Sequence, residues 1–530
     1  MTPRPAPSPL AAARAVLAER GVPGWLVGGV VRDALLGRRS VDVDIAVPSG
    51  AVDIGRAIAH SSGGAYVPLA PERGIVRVVW SGRRTRRSDA GVGGGTGDFR
   101  DTGDSGRDDI ADGVDKAHDS VLDLTDFVGG SLESDLAARD FTINALAVPL
   151  DVAADVGPAG LRNRDIDVID LVGGRADLDS RVVRMVSPAG FDADPLRLLR
   201  GPRIAAELGF TLDDATAAAI IARAPTLARP ARERVRDELL RMLAVDDAAH
   251  WIARLEGLGL LAVVLPDLTA CRGVGGADAD VLDHSLAVLD AAARLTRRAT
   301  GDRAATTTSA FDDLVDARRD ALRRHWGARI GGRPLAIWFR LAALLHDIGK
   351  PACAEWSTER GRWRFPRHDI VGAERALDAA SGLRLGADEA RYVVAIVRHH
   401  LRLLDYPDGT PLSRRDIYHY FQDVGDAGAD VALLTAAEVA AKHLAGSSRG
   451  KPAGAEATID ALLGAWFDAP EVAVAPQMLL TGDDVMAEFG LPPGPLIGTL
   501  LAGLREAQAV GDVATVAEAR AWLAPRAVKR

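Results

Sequence analysis

Val41-Asp42-Val43-Asp44-Ile45, about a dozen residues after Gly28-Gly29, decides how this chain is read. Side chains alternate faces along a strand. Asp42 and Asp44 therefore project one way, and Val41, Val43 and Ile45 face a core. Two carboxylates held side by side repel each other unless a cation sits between them. Upstream, Trp25-Leu26-Val27 reads as a strand ending at the two glycines, and residues 30–37 read as a helix closed by Gly37. A glycine turn that opens a helix offers backbone N–H groups to an anion. A phosphate cradle beside metal-binding carboxylates suits the transfer of a nucleotidyl group.

The rest of the chain sets bounds on that reading. Its 530 residues correspond to three or four domains at ~150 residues each. Apolar residues make up 48%, enough for ordinary cores. Two cysteines, Cys271 and Cys353, cannot make a disulfide framework, which points to a reducing, cytoplasmic setting. No apolar run approaches the ~20 residues of a membrane span, and the N-terminal stretch has no signal-peptide pattern. The net charge of −9 argues against a protein that coats nucleic acid nonspecifically, while a local basic face still suits RNA. Oligomeric state is left open.

The fold class expected is α+β: an N-terminal head with a mixed sheet and helices, then helical neck, histidine-rich and tail domains. The boundaries fall at 1–158, 159–268, 269–446 and 447–530. Residues 82–119 are rich in Asp, Gly, Arg and Ser and read as a mobile insertion, too apolar-poor to offset ordering entropy. Ser120-Val121-Leu122-Asp123-Leu124 reads as another strand, and 136–148 as a helix. Beyond about 160 strand signals nearly vanish, and 191–208 and 231–243 carry apolar residues at helical spacing. Residues 296–332 read as a second, low-complexity insertion, and 445–454 as a Gly/Ser linker.

Gly28-Gly29-Val30-Val31-Arg32-Asp33, Asp42-Val43-Asp44 and Arg139-Asp140-Phe141-Thr142-Ile143-Asn144-Ala145 stand in that order. As a set they resemble the bacterial tRNA nucleotidyltransferase (CCA-adding enzyme) and poly(A) polymerase family, which has a polymerase-β-like head. The resemblance implies in-line attack by an RNA 3′-hydroxyl on an α-phosphate, with CTP and ATP as donors and tRNA as acceptor. It implies that Asp42 and Asp44 hold Mg²⁺. Asp123, on a neighbouring strand, is either a third catalytic carboxylate or an ordinary strand aspartate. Gly28, Gly29, Arg32, Arg139, Asp140 and Asn144 would line the nucleotide pocket. The chain departs from the family at Ala138, where a second arginine is usual.

Asp194 and Arg197, in Asp194-Pro195-Leu196-Arg197, are three apart on an expected helix whose first turn tolerates Pro195. One reading is an intrahelical ion pair. The other is base selection. Cytosine and adenine each present an amine donor beside a ring-nitrogen acceptor, which a carboxylate and a guanidinium complement. Uracil and guanine reverse that polarity and are rejected. The resembled family uses this segment as its amino-acid template, usually with a Glu where Ala193 stands. Glu233-Arg234-Val235-Arg236 matches a later family motif, or is a solvated charged face.

Eight of the eleven histidines lie between 284 and 443. His346-Asp347 ends an apolar helical run, and His284, His368, His399 and His400 flank it. Imidazoles with a carboxylate make a divalent-metal set. The pattern resembles an HD-type phosphohydrolase domain, whose implied second-metal ligands are His284, His346, Asp347, His368, His399 and Glu438. Such a domain either hydrolyses phosphoesters or serves as a scaffold gripping tRNA. Leu479-Leu480-Thr481-Gly482-Asp483-Asp484 and the Gly-Pro turn that follows resemble the tail of HD-containing tRNA nucleotidyltransferases. The function expected is addition of C and A to the tRNA 3′ end. Alternatives are poly(A) polymerase, a CC-only or A-only enzyme, or a protein that is mainly a phosphohydrolase.

Overall fold

The computed structural model describes residues 8–38, 40, 42–80, 120–153, 167–275, 280–301, 310–406, 410–444 and 454–527. The candidate insertion at 82–119 and most of the 445–454 linker lie outside these. Two compact units result: 1–193 with 210–216, and 194–209 with 217–530.

The first unit is built on seven strands: β1 (Trp25–Val27), β2 (Asp42–Val47), β3 (Ala65–Ala70), β4 (Ile75–Trp80), β5 (Ser120–Asp126), β6 (Leu146–Pro149) and β7 (Ile169–Asp170). Their order across the sheet is β3-β4-β5-β2-β1-β6-β7. Only β2 and β5 run parallel, with Asp44 level with Asp123; β1 runs antiparallel to β2. Ile45, Leu122 and Leu124 are fully buried, as strand alternation requires.

The stretch 136–148 departs from the helix expected of it. A helix ends at Ala137, Thr142–Asn144 make one tight turn, and Leu146–Pro149 form β6 beside β1. A short run of buried Leu, Ala and Val fits a central strand as well as a helix, and pairing to β1 decides it. The head also extends beyond the expected limit of 158. β7 pairs with β6, Phe141 bridges Met185, and Val182–Val183 pair with Thr211–Leu212, so the described residues 167–193 fold with the head.

The second unit is almost wholly helical. Helices Arg197–Leu208, Arg232–Leu243 and Ala248–Gly257 follow the expected neck. Asp194 precedes its helix instead of lying in it. Within the segment read as low-complexity (296–332), Ala310–Ala317 and Arg319–Gly327 are helices, with Phe311, Val315, Leu322 and Trp326 buried. His325 Nε2 and Trp326 Nε1 reach the two oxygens of fully buried Asp430 at 2.8 and 2.9 Å. Four apolar anchors at helical spacing outweigh the polar composition around them. The tail closes its own small core around Val485, Leu504, Ala519 and Leu523. Among the described residues no helix is long and apolar enough to cross a membrane.

Candidate active site and metal centre

Gly28 ends β1 with φ of +79°, a conformation open to glycine. A Cβ there would lie 2.8 Å from Arg139 Nη1 and 3.3 Å from Asp44 Oδ2. The close approach is built by sequence. Leu26 pairs with Ile45, so the end of β1 arrives at Asp44, and helix Gly29–Leu36 starts there. Asp42 begins β2, level with Val121.

A second layer fixes these groups. Arg139 donates to Asp135 through Nε (3.2 Å) and Nη2 (3.0 Å), and its Nη1 points to the Asn144 carbonyl at 3.4 Å. Arg32 Nη1 donates to Asn144 Oδ1 at 2.7 Å, and Asn144 Nδ2 donates to Asp140 Oδ1 at 3.0 Å. Asp140 and Asn144 are buried, so the network sets their rotamers. Asp140 also accepts from the Phe141 amide at 2.8 Å. Gly28, Gly29, Arg32, Asp44, Arg139, Asp140 and Asn144 thus form one connected group. Asp123 stands beside Asp44 in register, yet both its oxygens accept from Arg77, at 2.7 and 2.8 Å. The sequence reading missed Arg77 and Asp135; the four-residue spacing of Asp135 and Arg139 was the available signal.

In the second unit, the Asp194 carboxylate accepts from the Leu196 amide at 3.2 Å and pairs with Arg234 Nη2 at 3.1 Å. The Glu233-Arg234-Val235-Arg236 motif therefore touches the base-reading candidate directly. Arg197 opens the helix, its amide donating to the Asp194 carbonyl at 3.0 Å.

The histidine centre gathers around Asp347. Asp347 Oδ2 lies 3.1 Å from His346 Nε2 and 3.6 Å from His284 Nε2; Oδ1 lies 3.3 Å from His368 Nε2 and 3.7 Å from His400 Nε2. Lys350 Nζ donates to Oδ2 at 2.5 Å. Two three-residue groups with metal-ligand spacing result: His284, His346, Asp347 and Asp347, His368, His400. His399, the expected ligand, is outside both. On helix Ala387–His399 the buried positions Val393, Ile396 and Val397 lead in phase to His400. Helical periodicity could have made that choice.

His346, His368 and His400 each place Nδ1 2.7–2.8 Å from the main-chain carbonyl three residues earlier. A carbonyl only accepts, so each Nδ1 carries a proton, and in the neutral ring each Nε2 presents a lone pair. Fully buried His346 Nε2 faces the Asp347 carboxylate, 3.1 Å away. His368 and His400 point their Nε2 atoms at each other, 3.1 Å apart. Facing lone pairs repel unless a cation or a proton sits between or beside them, so the donor set fits a divalent metal.

The charges agree. Burial drives His284 and His400 down to about 4 against the opposing pull of Asp347. Burial also opposes charge on Asp347, but His346 and Lys350 hold it well below its usual range. His346 is pushed up, since Asp347 outweighs its burial. Glu438 is half-buried, and His346, Lys442 and His400 bring it down to about 2; it belongs to neither three-residue group.

Three family models match successive stretches of the chain. The Poly A polymerase head domain model matches residues 24–184, the probable RNA- and SrmB-binding site of polymerase A matches 209–272, and the HD domain matches 281–428. The chain is 34% identical to an A-adding tRNA nucleotidyltransferase of Deinococcus radiodurans over 94% of both chains. It is 32% identical to a CC-adding tRNA nucleotidyltransferase of Geobacter sulfurreducens over 98% of this chain and 96% of that one. The solved CCA-adding enzyme of Bacillus stearothermophilus, in complex with CTP, shares the fold with a TM-score of 0.57 at 22% identity, covering 98% of each. Nucleotidyltransferase and HD domains together imply dependence on divalent metal. The chain is an enzyme and belongs to the tRNA nucleotidyltransferase and poly(A) polymerase family, with an HD domain behind its head.

Proposed function

We propose that this enzyme extends the 3′ end of tRNA in the cytoplasm, adding cytidylate and adenylate from CTP and ATP. The observation that carries this is the approach of Asp44 and Arg139 to a glycine turn that no side chain can fill. The tRNA 3′-hydroxyl oxygen bonds to the α-phosphorus, the α–β bridging bond breaks, and pyrophosphate leaves. Asp42 and Asp44 would hold Mg²⁺. When bound, that ion lowers the hydroxyl pKa and neutralises the leaving phosphates.

The chain's own residues do the positioning. Gly28 and Gly29 admit the triphosphate to the amides that open helix Gly29–Leu36. Arg139 offers positive charge, fixed by Asp135. Arg32, Asn144 and Asp140 hold the pocket wall where the sugar rests. Asp194, oriented by Arg234, accepts from the amine of C or A, and Arg197 donates to the ring nitrogen. Asp123 acts as a third carboxylate only after releasing Arg77.

The full-length relatives reported divide between A-adding and CC-adding enzymes, which favours a second reading: one part of the CCA sequence, with a partner enzyme supplying the rest. Offering each NTP singly to tRNA truncated at its 3′ end separates the cases. CMP addition alone marks a CC-adding enzyme, AMP addition only after CC marks an A-adding one, and a long A tail marks a poly(A) polymerase.

The histidine centre supports a second activity, metal-dependent phosphoester hydrolysis, with His284, His346, Asp347, His368 and His400 as the metal-holding set and the Glu438 carboxylate adding negative charge. Asp42→Ala and His346→Ala, assayed side by side, test the division of labour. Incorporation that survives Asp42→Ala would refute the head as the transfer site.

A further inference from the structure

The second unit carries a hairpin, Glu355–Ser357 against Arg362–Arg364, between the Lys350–Cys353 turn and the helix that starts at His368. Trp356 pairs across it with Trp363, ring centroids 5.6 Å apart and inclined at 76°. These indoles are 54% and 40% exposed. The chain's seven other tryptophans are buried or half-buried. Leaving two of the largest apolar side chains in water, side by side, forgoes burial that the rest of the molecule takes wherever it can.

Charge distinguishes the kind of partner. Arg360, Arg362, Arg364 and Arg367 are all exposed, and none makes an ion pair with a described residue. Glu355 and Glu359 are the only acids between 355 and 367, so this element is locally basic in a chain of net charge −9. The root of the hairpin belongs to the histidine centre. Lys350 Nζ lies 5.3 Å from the centroid of the Phe365 ring, and that ring is 6.5 Å from the ring of His368. Strand alternation puts the two indoles on one face of this narrow ribbon and Arg362 and Arg364 on the other, so a strand of unstacked bases joined by phosphates can stack on the first and meet charge at the ribbon's edges. An apolar protein surface would match the indoles but leave the guanidinium charge unanswered.

We propose that the Trp356–Trp363 hairpin is a stacking platform for unpaired RNA nucleotides, with phosphates met by Arg360, Arg362, Arg364 and Arg367. This rests on the family's RNA substrate, not on which nucleotide the head adds.

The test uses the full chain and a fluorescein-labelled, unstructured RNA octamer carrying one 4-thiouracil. Anisotropy is read over a salt series, and cross-linked peptides are mapped by mass spectrometry. The wild type should cross-link within 354–367. Trp356→Ala with Trp363→Ala should weaken binding about tenfold and lose that cross-link, while the paired change to Phe retains most of both. Arg362→Ala with Arg364→Ala should lower the salt slope by about one to two units. Cross-links only elsewhere, with wild-type affinity and slope in the Ala variants, would overturn the proposal and leave the hairpin to a protein contact. Extension of tRNA by each wild-type preparation is scored separately, so failure of the transfer reading shows there and failure of the platform shows in binding.

Discussion

Gly28 carries a disproportionate share of the head's geometry, because one methyl group there meets a guanidinium and a carboxylate at once. Gly28→Ala should cost about 1–3 kcal/mol of backbone strain, since φ of +79° with ψ of −142° is a region that glycine almost alone enters. It should also shift Arg139, lowering kcat/KM for nucleotide addition by on the order of 10²-fold in a steady-state assay. Asp44→Asn should lower kcat by about 10³-fold or more with the fold intact by circular dichroism, since it removes charge without volume. The glycines and paired aspartates at this site were legible from their chemistry, and the Arg-Asp-Phe-Thr-Ile-Asn run only through the family resemblance. Their partners were less so. Arg77 is far from Asp123 in sequence and meets it only because β4 and β5 pair. Asp135, by contrast, was within helical reach of Arg139 and could have been found.

Among the elements, the helix ends around Asp347 yield a pH prediction. His284 and His400 have folded values of about 4, below the ordinary 6.5, so the unfolded chain takes up protons that the folded chain refuses. Their contribution is complete above pH 6.5 and is lost as pH falls toward 4. Asp347 and Glu438, both lowered, add a further loss below about 4.5. His346, raised, runs the other way and loses its contribution as pH rises through its folded value. Metal-free protein should therefore melt at steadily lower temperature from pH 7 to pH 4 in a calorimetric series. A divalent ion at a hundred times its Kd should add about 2.7 kcal/mol at neutral pH, and much less at pH 5, where protons compete for the imidazoles. Helix Arg319–Gly327 gives a stability test. Asp430→Ala strands the His325 and Trp326 donors and should cost about 3 kcal/mol by urea unfolding. That helix was obscured in the sequence by its polar, arginine-rich composition. β6 was mistaken for helix because four apolar residues fit either period.

For the whole molecule, periodicity announced short strands and helices first and a helical remainder after them, because sheet and helix periods differ over long stretches, and the family resemblance supplied the mixed-sheet head. Neither could announce where the head stops. The first unit reclaims 210–216 through two-residue strand pairings that carry no sequence signal of their own. The division into two units predicts separable chemistry: His346→Ala should abolish phosphoester hydrolysis and leave the rate of CMP or AMP incorporation within about twofold, read on one preparation with two substrates. The tautomer of three histidines is dictated by main-chain oxygens rather than by neighbouring side chains. Surrounding residues can thus drift through evolution, or be rewritten by an engineer, without resetting which nitrogen faces the ion. Transplanting such a centre would call for three chain turns cut at the correct residue and no outer ring of acids.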